Sequence, residues 1–189
     1  LSVLSDQSDF IRQSIDNVRS SALYGGLLAI AILYLFLRNH SATLIIALAI
    51  PVSIIASFGL LYFAGLTLNQ MTFGGLALGI GLIVDNAIVV IENIVRQRQA
   101  GRSREDAAKV GTREVAGAVV AATLTTCVIL LPVVFMRTTS GQLFQTLALV
   151  VVFALACSLL IALTLVPMLA SRFLTIRPQE AASAGPASR

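Results

Sequence analysis

Asp85, Asn86, Glu92 and Asn93 are the residues best equipped for chemistry, and all of them lie in one apolar run, Gly79-Ile-Gly-Leu-Ile-Val-Asp-Asn-Ala-Ile-Val-Val-Ile-Glu-Asn93. An Asp near the centre of a membrane helix costs roughly 2.5–3.5 kcal/mol on insertion scales. Such acids therefore usually face a bundle interior or an aqueous path and mark ion or proton traffic. With a span over about 72–94, Asp85 lies about 3 Å along the axis from the midpoint near Ile83, and Glu92 about 13 Å from it. The two acids share a helix face because they are seven residues apart. Glu92 can reach interfacial water, whereas Asp85 must find protein, water or a proton. Asp85 therefore reads as the proton carrier, and Glu92 as an orienting residue or the cytoplasmic mouth of the path. The structural alternative is a protonated Asp85 making one helix-to-helix hydrogen bond.

The same run has two close-packing sides. Gly74 and Gly81 lie near the Asp85 face, while Gly75, Gly79, Asn86 and Asn93 form a second stripe turned away by about 80–100° at the helical period. Small residues let helix backbones approach, and the amides can bond across to another helix. The glycines thus read as packing residues. Asn86 and Asn93 read either as packing amides or as supports for Asp85. Farther on, Thr123, Thr125 and Thr126 with Ala118 and Ala122 read as a packing stripe, since Thr hydroxyls can bond their own helix carbonyls. No nucleophile with a partner, phosphate loop or metal-ligand spacing occurs, so neither an enzyme site, a metal nor a cofactor is expected. The scattered Met71, Met136 and Met168 form no soft-metal cluster. Cys127 and Cys157 lie inside apolar segments and read as small packing residues.

The elements that must position these side chains are membrane helices. The 189 residues are 57% hydrophobic and 12% charged, with a mean hydropathy of +0.92, far too apolar for an ordinary soluble domain. The chain begins at Leu1 and reads as a piece of something longer. Spans are expected over about 15–37, 43–63, 72–94, 115–135 and 143–169, each long enough for a hydrocarbon core of about 30 Å. Short connections make neighbouring helices antiparallel. A hydrophilic loop is expected over 95–114, with Gly101 ending one helix and Ser103 and Asp106 capping a surface helix. His40 reads as a solvated turn residue. Pro51, Pro132 and Pro167 suggest kinks. Residues 175–189 read as a disordered tail.

The net charge of +4 reflects membrane orientation rather than nucleic-acid binding. One side collects ten basic residues: Arg38, then Arg96, Arg98, Arg102, Arg104, Lys109 and Arg113 in the loop, and Arg172, Arg177 and Arg189. The other side has three, Arg12, Arg19 and Arg137. The positive-inside rule places the loop in the cytoplasm, the N-terminus outside and the C-terminus inside.

Several motifs carry a family resemblance. Gly81 to Asn93 resembles the central motif of resistance-nodulation-division efflux permeases, in particular the hydrophobe and multidrug branch. Tyr34-Leu-Phe-Leu-Arg-Asn39, Ala42-Thr-Leu-Ile45, Ile50-Pro-Val-Ser53, Leu68-Asn-Gln-Met-Thr72 and Leu165-Val-Pro-Met-Leu169 resemble the same family in the same order, up to about Leu174. The resemblance implies an all-α membrane protein, an antiparallel bundle of five transmembrane helices that are the second to sixth of a twelve-helix membrane domain.

The resemblance further implies a homotrimeric, proton-driven pump in the bacterial cytoplasmic membrane. Its partners would be the remaining half and porter domains of the same permease, with a periplasmic adaptor and an outer-membrane channel in a Gram-negative cell. It makes Asp85 the proton-binding acid. The best-known members carry a second acid where this chain has Asn86. They place a Lys partner in the second half, whereas the only Lys here, Lys109, lies in the loop. The competing readings are a non-transporting scaffold or a lipid- or sterol-sensing domain of related layout, and a metal-exporting branch of the family.

Overall fold

A computed structural model describes residues 20, 24–28, 31–32, 34–35, 39–67, 69–136 and 138–175. Four long helices organise them: α1 (His40–Phe63), α2 (Gln70–Gln99), α3 (Arg104–Val134) and α4 (Thr139–Phe173). Each includes a stretch long and apolar enough to cross a membrane, and no strand occurs among the described residues. The expected first span over 15–37 lies mostly outside the described residues, although 24–28, 31–32 and 34–35 within it are helical. The expected tail over 175–189 lies outside them apart from Thr175.

Each helix starts on a polar side chain that accepts the N–H groups a first turn leaves unpaired. Asn39 accepts from Ser41 and Ala42, and Thr138 accepts from Gly141. Asn69 and Thr72 close a reciprocal capping box. Ser103 accepts the Asp106 N–H at 3.1 Å while donating to the Asp106 carboxylate at 2.6 Å. These caps lie ahead of the apolar runs, so α1 and α4 start several residues before the spans read from hydropathy.

The largest difference falls at the hydrophilic loop expected over 95–114. There α2 continues to Gln99 and α3 begins at Arg104, leaving only residues 100–103 as a turn. Arg, Gln, Glu and Lys are good helix formers, so a change to polar residues ends the apolar span without ending the helix. The chain reverses at Gly101, whose φ of 89° suits a residue without a Cβ. His40, expected in a turn, is instead the first residue of α1; it is exposed, and its ring lies against that of Tyr34 at 4.9 Å.

Contacts between helices fix their directions. Asn93 meets Gly111 and Asn86 meets Thr123, so α2 and α3 run antiparallel. Gly75 lies against Val150 and Gly79 against Ala154, so α2 and α4 run parallel. The Asn39 amide donates to the Thr175 carbonyl, bringing the start of α1 to the end of α4. Helix α4 packs against the other three and most extensively on α2. The core joins Ile46 of α1, Val90, Ile91 and Ile94 of α2, Ala107 of α3 and Val166 of α4, all fully buried.

The glycines expected to pack divide by face. A Cβ on Gly75 would lie 2.9 Å from the Leu147 carbonyl oxygen and 2.9 Å from Val150 Cβ, and one on Gly79 would lie 2.8 Å from Ala154 Cβ. A Cβ on Gly74 would reach only Leu147 Cδ1 at 4.0 Å, and one on Gly81 would meet nothing within 4 Å. The Gly75/Gly79 side is thus the seam with α4, and the Gly74/Gly81 side leaves room for a Cβ. Gly75→Ala should destabilise the bundle by about 1–3 kcal/mol through overpacking against backbone. Gly117→Ala, where a Cβ meets open space, should be neutral or stabilising because Ala is the better helix former. Thermal midpoints of the two variants in detergent, read by size-exclusion elution after heating, check the contrast.

Candidate functional site

Helix α2 separates its polar side chains by direction. Successive residues of an α-helix point about 100° apart, so Asp85 and Asn86 cannot share a face. Asn86 is 9% exposed, and Asn93 is buried beside the same seam. Asp85 and Glu92 are exposed, together with Gly74, Leu78, Gly81, Val89 and Arg96 along the same side of the helix. Asp85 stands at the middle of α2, on the side turned away from α4 and the core. Among the described residues, neither acid has a hydrogen bond or ion pair.

The inward amides are satisfied. Asn86 donates through Nδ2 to Thr123 Oγ1 of α3 at 3.2 Å and to Ser158 Oγ of α4 at 3.5 Å. Thr123 Oγ1 in turn donates to the Val119 carbonyl at 2.9 Å. Thr125 and Thr126 also bond their own helix, at the Ala121 and Ala122 carbonyls. One turn of the stripe therefore places an amide and two hydroxyls from three helices together at the level of Asp85.

Asn93 anchors a second cluster toward the polar end of α2. Its Nδ2 donates to the Gly111 carbonyl at 2.7 Å and to the Glu114 carboxylate at 2.9 Å. Gln97 donates to the same Glu114 oxygen at 2.7 Å, and Arg96 lies 3.8 Å from it. A Cβ on Gly111 would lie 2.9 Å from Ile94 Cα, so the two backbones approach as closely as glycine allows. Glu114 stands just before the apolar part of α3. The amide donors Asn93 and Gln97, and then the Arg96 and Arg102 charges, hold its carboxyl below the ordinary glutamate range.

The sequence reading did not single out Gly111, Glu114 or Gln97. A signal was present in Ala107, Ala108 and Gly111, small residues at helical spacing ahead of the last acid before the apolar run. Among the described residues no group of His, Cys, Asp and Glu could hold a metal ion. The expected groups therefore separate into an outward face with Asp85 and Glu92 and an inward stripe with Asn86 and Asn93. The structure does not bring the two sets together.

Four apolar helices of membrane-spanning length, packed through glycines and interhelical amides, with one mid-helix acid on the outward face of α2, form an all-α membrane bundle. The sequence matches the AcrB/AcrD/AcrF family over residues 1–186, and the chain belongs to that family of resistance-nodulation-division permeases. It is 40% identical over 179 residues to the multidrug resistance protein MdtC of Pectobacterium atrosepticum. It is 38% identical over 178 residues to MdtC of Yersinia enterocolitica and 37% identical over 179 residues to MdtC of Yersinia pestis. These matches cover 94–95% of this chain but only 17–18% of each relative.

A carboxyl stabilised as the anion contributes to the fold above its unfolded titration range, and that contribution is lost as pH falls through its folded value. Glu114→Gln should therefore speed hydrogen exchange in the 100–103 turn and the adjoining helix ends at neutral pH. The unsubstituted chain should approach the variant on acidification. Mass-spectrometric exchange across a pH series, corrected for intrinsic rates, checks this; identical exchange in both proteins at neutral pH would remove the clamp.

Proposed function

We propose that the chain is the membrane part of a proton-driven multidrug efflux pump in which Asp85 carries the proton. The carrying observation is that Asp85 sits at the middle of an apolar membrane helix and on its outward face, while the neighbouring Asn86 is sunk and hydrogen-bonded. An acid in that setting is expensive unless a partner or water path answers it. The outward direction leaves Asp85 available to groups beyond this bundle, whereas a structural acid of the scaffold type would be expected to bond a helix it already touches. The names of the relatives support multidrug export.

In this reading the second half of the permease supplies the cation that faces Asp85, and porter domains outside the membrane select the compounds. The working pump is a homotrimer in the bacterial cytoplasmic membrane. In a Gram-negative cell a periplasmic adaptor and an outer-membrane channel complete it. The basic turn between α2 and α3 faces the cytoplasm, with the N-terminus outside and the C-terminus inside. No cofactor is required, because the energy source is the proton gradient. Moving one charge through the membrane potential supplies about 2.3 kcal/mol per 100 mV, before any pH difference is added. One proton acting on α2 can therefore bias a packing equilibrium but cannot by itself drive a large unfavourable step.

Glu92 shares the outward face nearer the polar end of the helix and serves as the cytoplasmic mouth. Asn86 is neutral and cannot hold a second proton, which gives a single-acid site. Asp85→Asn in the full-length permease should abolish efflux of dyes and drugs while leaving membrane abundance unchanged. Efflux is read by dye accumulation in cells lacking other pumps, with abundance read by immunoblot. Normal export by that variant would sink the assignment.

A further inference from the structure

The hydrogen-bond set next to Asp85 contains no acid, yet it ties the residue adjoining Asp85 to two other helices. We propose that Asn86, Thr123 and Ser158 form a rotational pin that holds α2 with Asp85 turned outward, which makes them positioning residues for the proton carrier. That role rests on Asp85 carrying the proton, although the geometry that defines the pin does not.

The argument is geometric first. A side chain adjacent in a helix is displaced by about 100°, so sinking Asn86 between α3 and α4 turns Asp85 out of the bundle. Asn86 Nδ2 reaches both neighbouring helices, at 3.2 Å to Thr123 Oγ1 and 3.5 Å to Ser158 Oγ. Thr123 is 5% exposed and Ser158 2% exposed. The Thr123 hydroxyl has two acceptors in reach, the Val119 carbonyl at 2.9 Å and Asn86 Oδ1 at 3.4 Å; its proton favours the nearer carbonyl, and in either arrangement Thr123 stays bonded to the Asn86 amide. Rotating α2 to bring Asp85 inward would strip the Asn86 amide of its acceptors within an apolar interior, leaving an unpaired polar group.

The chemistry of the set suits a pin. Amide and hydroxyl groups do not titrate in the working range, so their bonds persist while Asp85 gains and loses a proton. The seam is held above by Gly79 against Ala154 and below by Asn93 on Gly111. Those contacts fix the distance and the ends of α2, whereas the Asn86 level adjoins the acid itself. Two consecutive residues thereby divide the work: Asn86 binds its own half permanently, and Asp85 is left to change state.

The test uses the full-length permease, in which Thr123→Val keeps side-chain shape and removes the hydroxyl while Thr123→Ser keeps the hydroxyl. Thr123→Val should slow transport about tenfold at normal abundance, the scale of one buried hydrogen bond, and Thr123→Ser should transport nearly as the parent. Ser158→Ala should act in the same direction and more weakly, since its bond to Asn86 is longer. A geometric readout independent of proton carriage comes from Asp85→Cys in a background with Cys127→Ala and Cys157→Ala. Its rate of labelling by a water-soluble maleimide should change with Thr123→Val and stay unchanged with Thr123→Ser. Unchanged labelling in Thr123→Val overturns the pin, whatever happens to transport. Altered labelling together with normal export by Asp85→Asn would instead overturn the proton-carrier reading and leave the pin standing as a structural device.

Discussion

The fixed turn of about 100° per residue is the constraint on which this bundle depends. Within α2 it forces neighbouring polar side chains to opposite duties. One arc of the helix carries Gly75, Gly79, Asn86 and Asn93 into α3 and α4, and the other carries Gly81, Asp85 and Glu92 away from them. In hydrocarbon a polar group must be answered by protein, because lipid offers no hydrogen bonds. The inward amides meet that demand inside the chain. The outward acid does not, and its cost is what makes it the informative residue.

Packing along the inward arc follows from size and from hydrogen bonding together. Membrane helices gain little from hydrophobic burial against one another, so close approach and interhelical polar contacts must hold them. Gly75, Gly79 and Gly111 give the approach, each at a point where a Cβ would collide with a neighbour at 2.9 Å or less. Asn86 and Asn93 give the polar contacts, one at mid-helix and one near the polar end. Glu114 extends the second of these by gathering Asn93, Gln97 and Arg96 on a single carboxylate oxygen. The hairpin of α2 and α3 is consequently tied at two levels, with Asp85 beside the upper tie.

The outer surface of the same chain remains apolar. On α3, Leu124, Val128 and Ile129 are more than half exposed, and only 11% of the most apolar window of that helix is buried. Such surface suits lipid or other membrane helices. The chain belongs to the AcrB/AcrD/AcrF family and spans about a sixth of the length of the MdtC relative from Pectobacterium atrosepticum.

Much of this was legible without coordinates. Hydropathy determined an all-helical membrane protein, because apolar length and helical period are local properties of the chain; the resistance-nodulation-division type came from the resemblance of its motifs, the one around Asp85 first. The two stripes of α2 followed from spacing alone. Helix ends were partly legible: Gly101 and the Ser103–Asp106 cap bound the turn as read, whereas the rest of the stretch over 95–114 proved helical and continuous with α2 and α3, since polarity reports water and not backbone conformation. Gly111 and Glu114 were missed because their partners, Ile94 and Asn93, belong to a different helix. The sequence by itself determined that Asp85 and Asn86 must diverge. Only the tertiary structure decided which of them turns inward, because that choice rests on Thr123 and Ser158 arriving from two other helices at the same level.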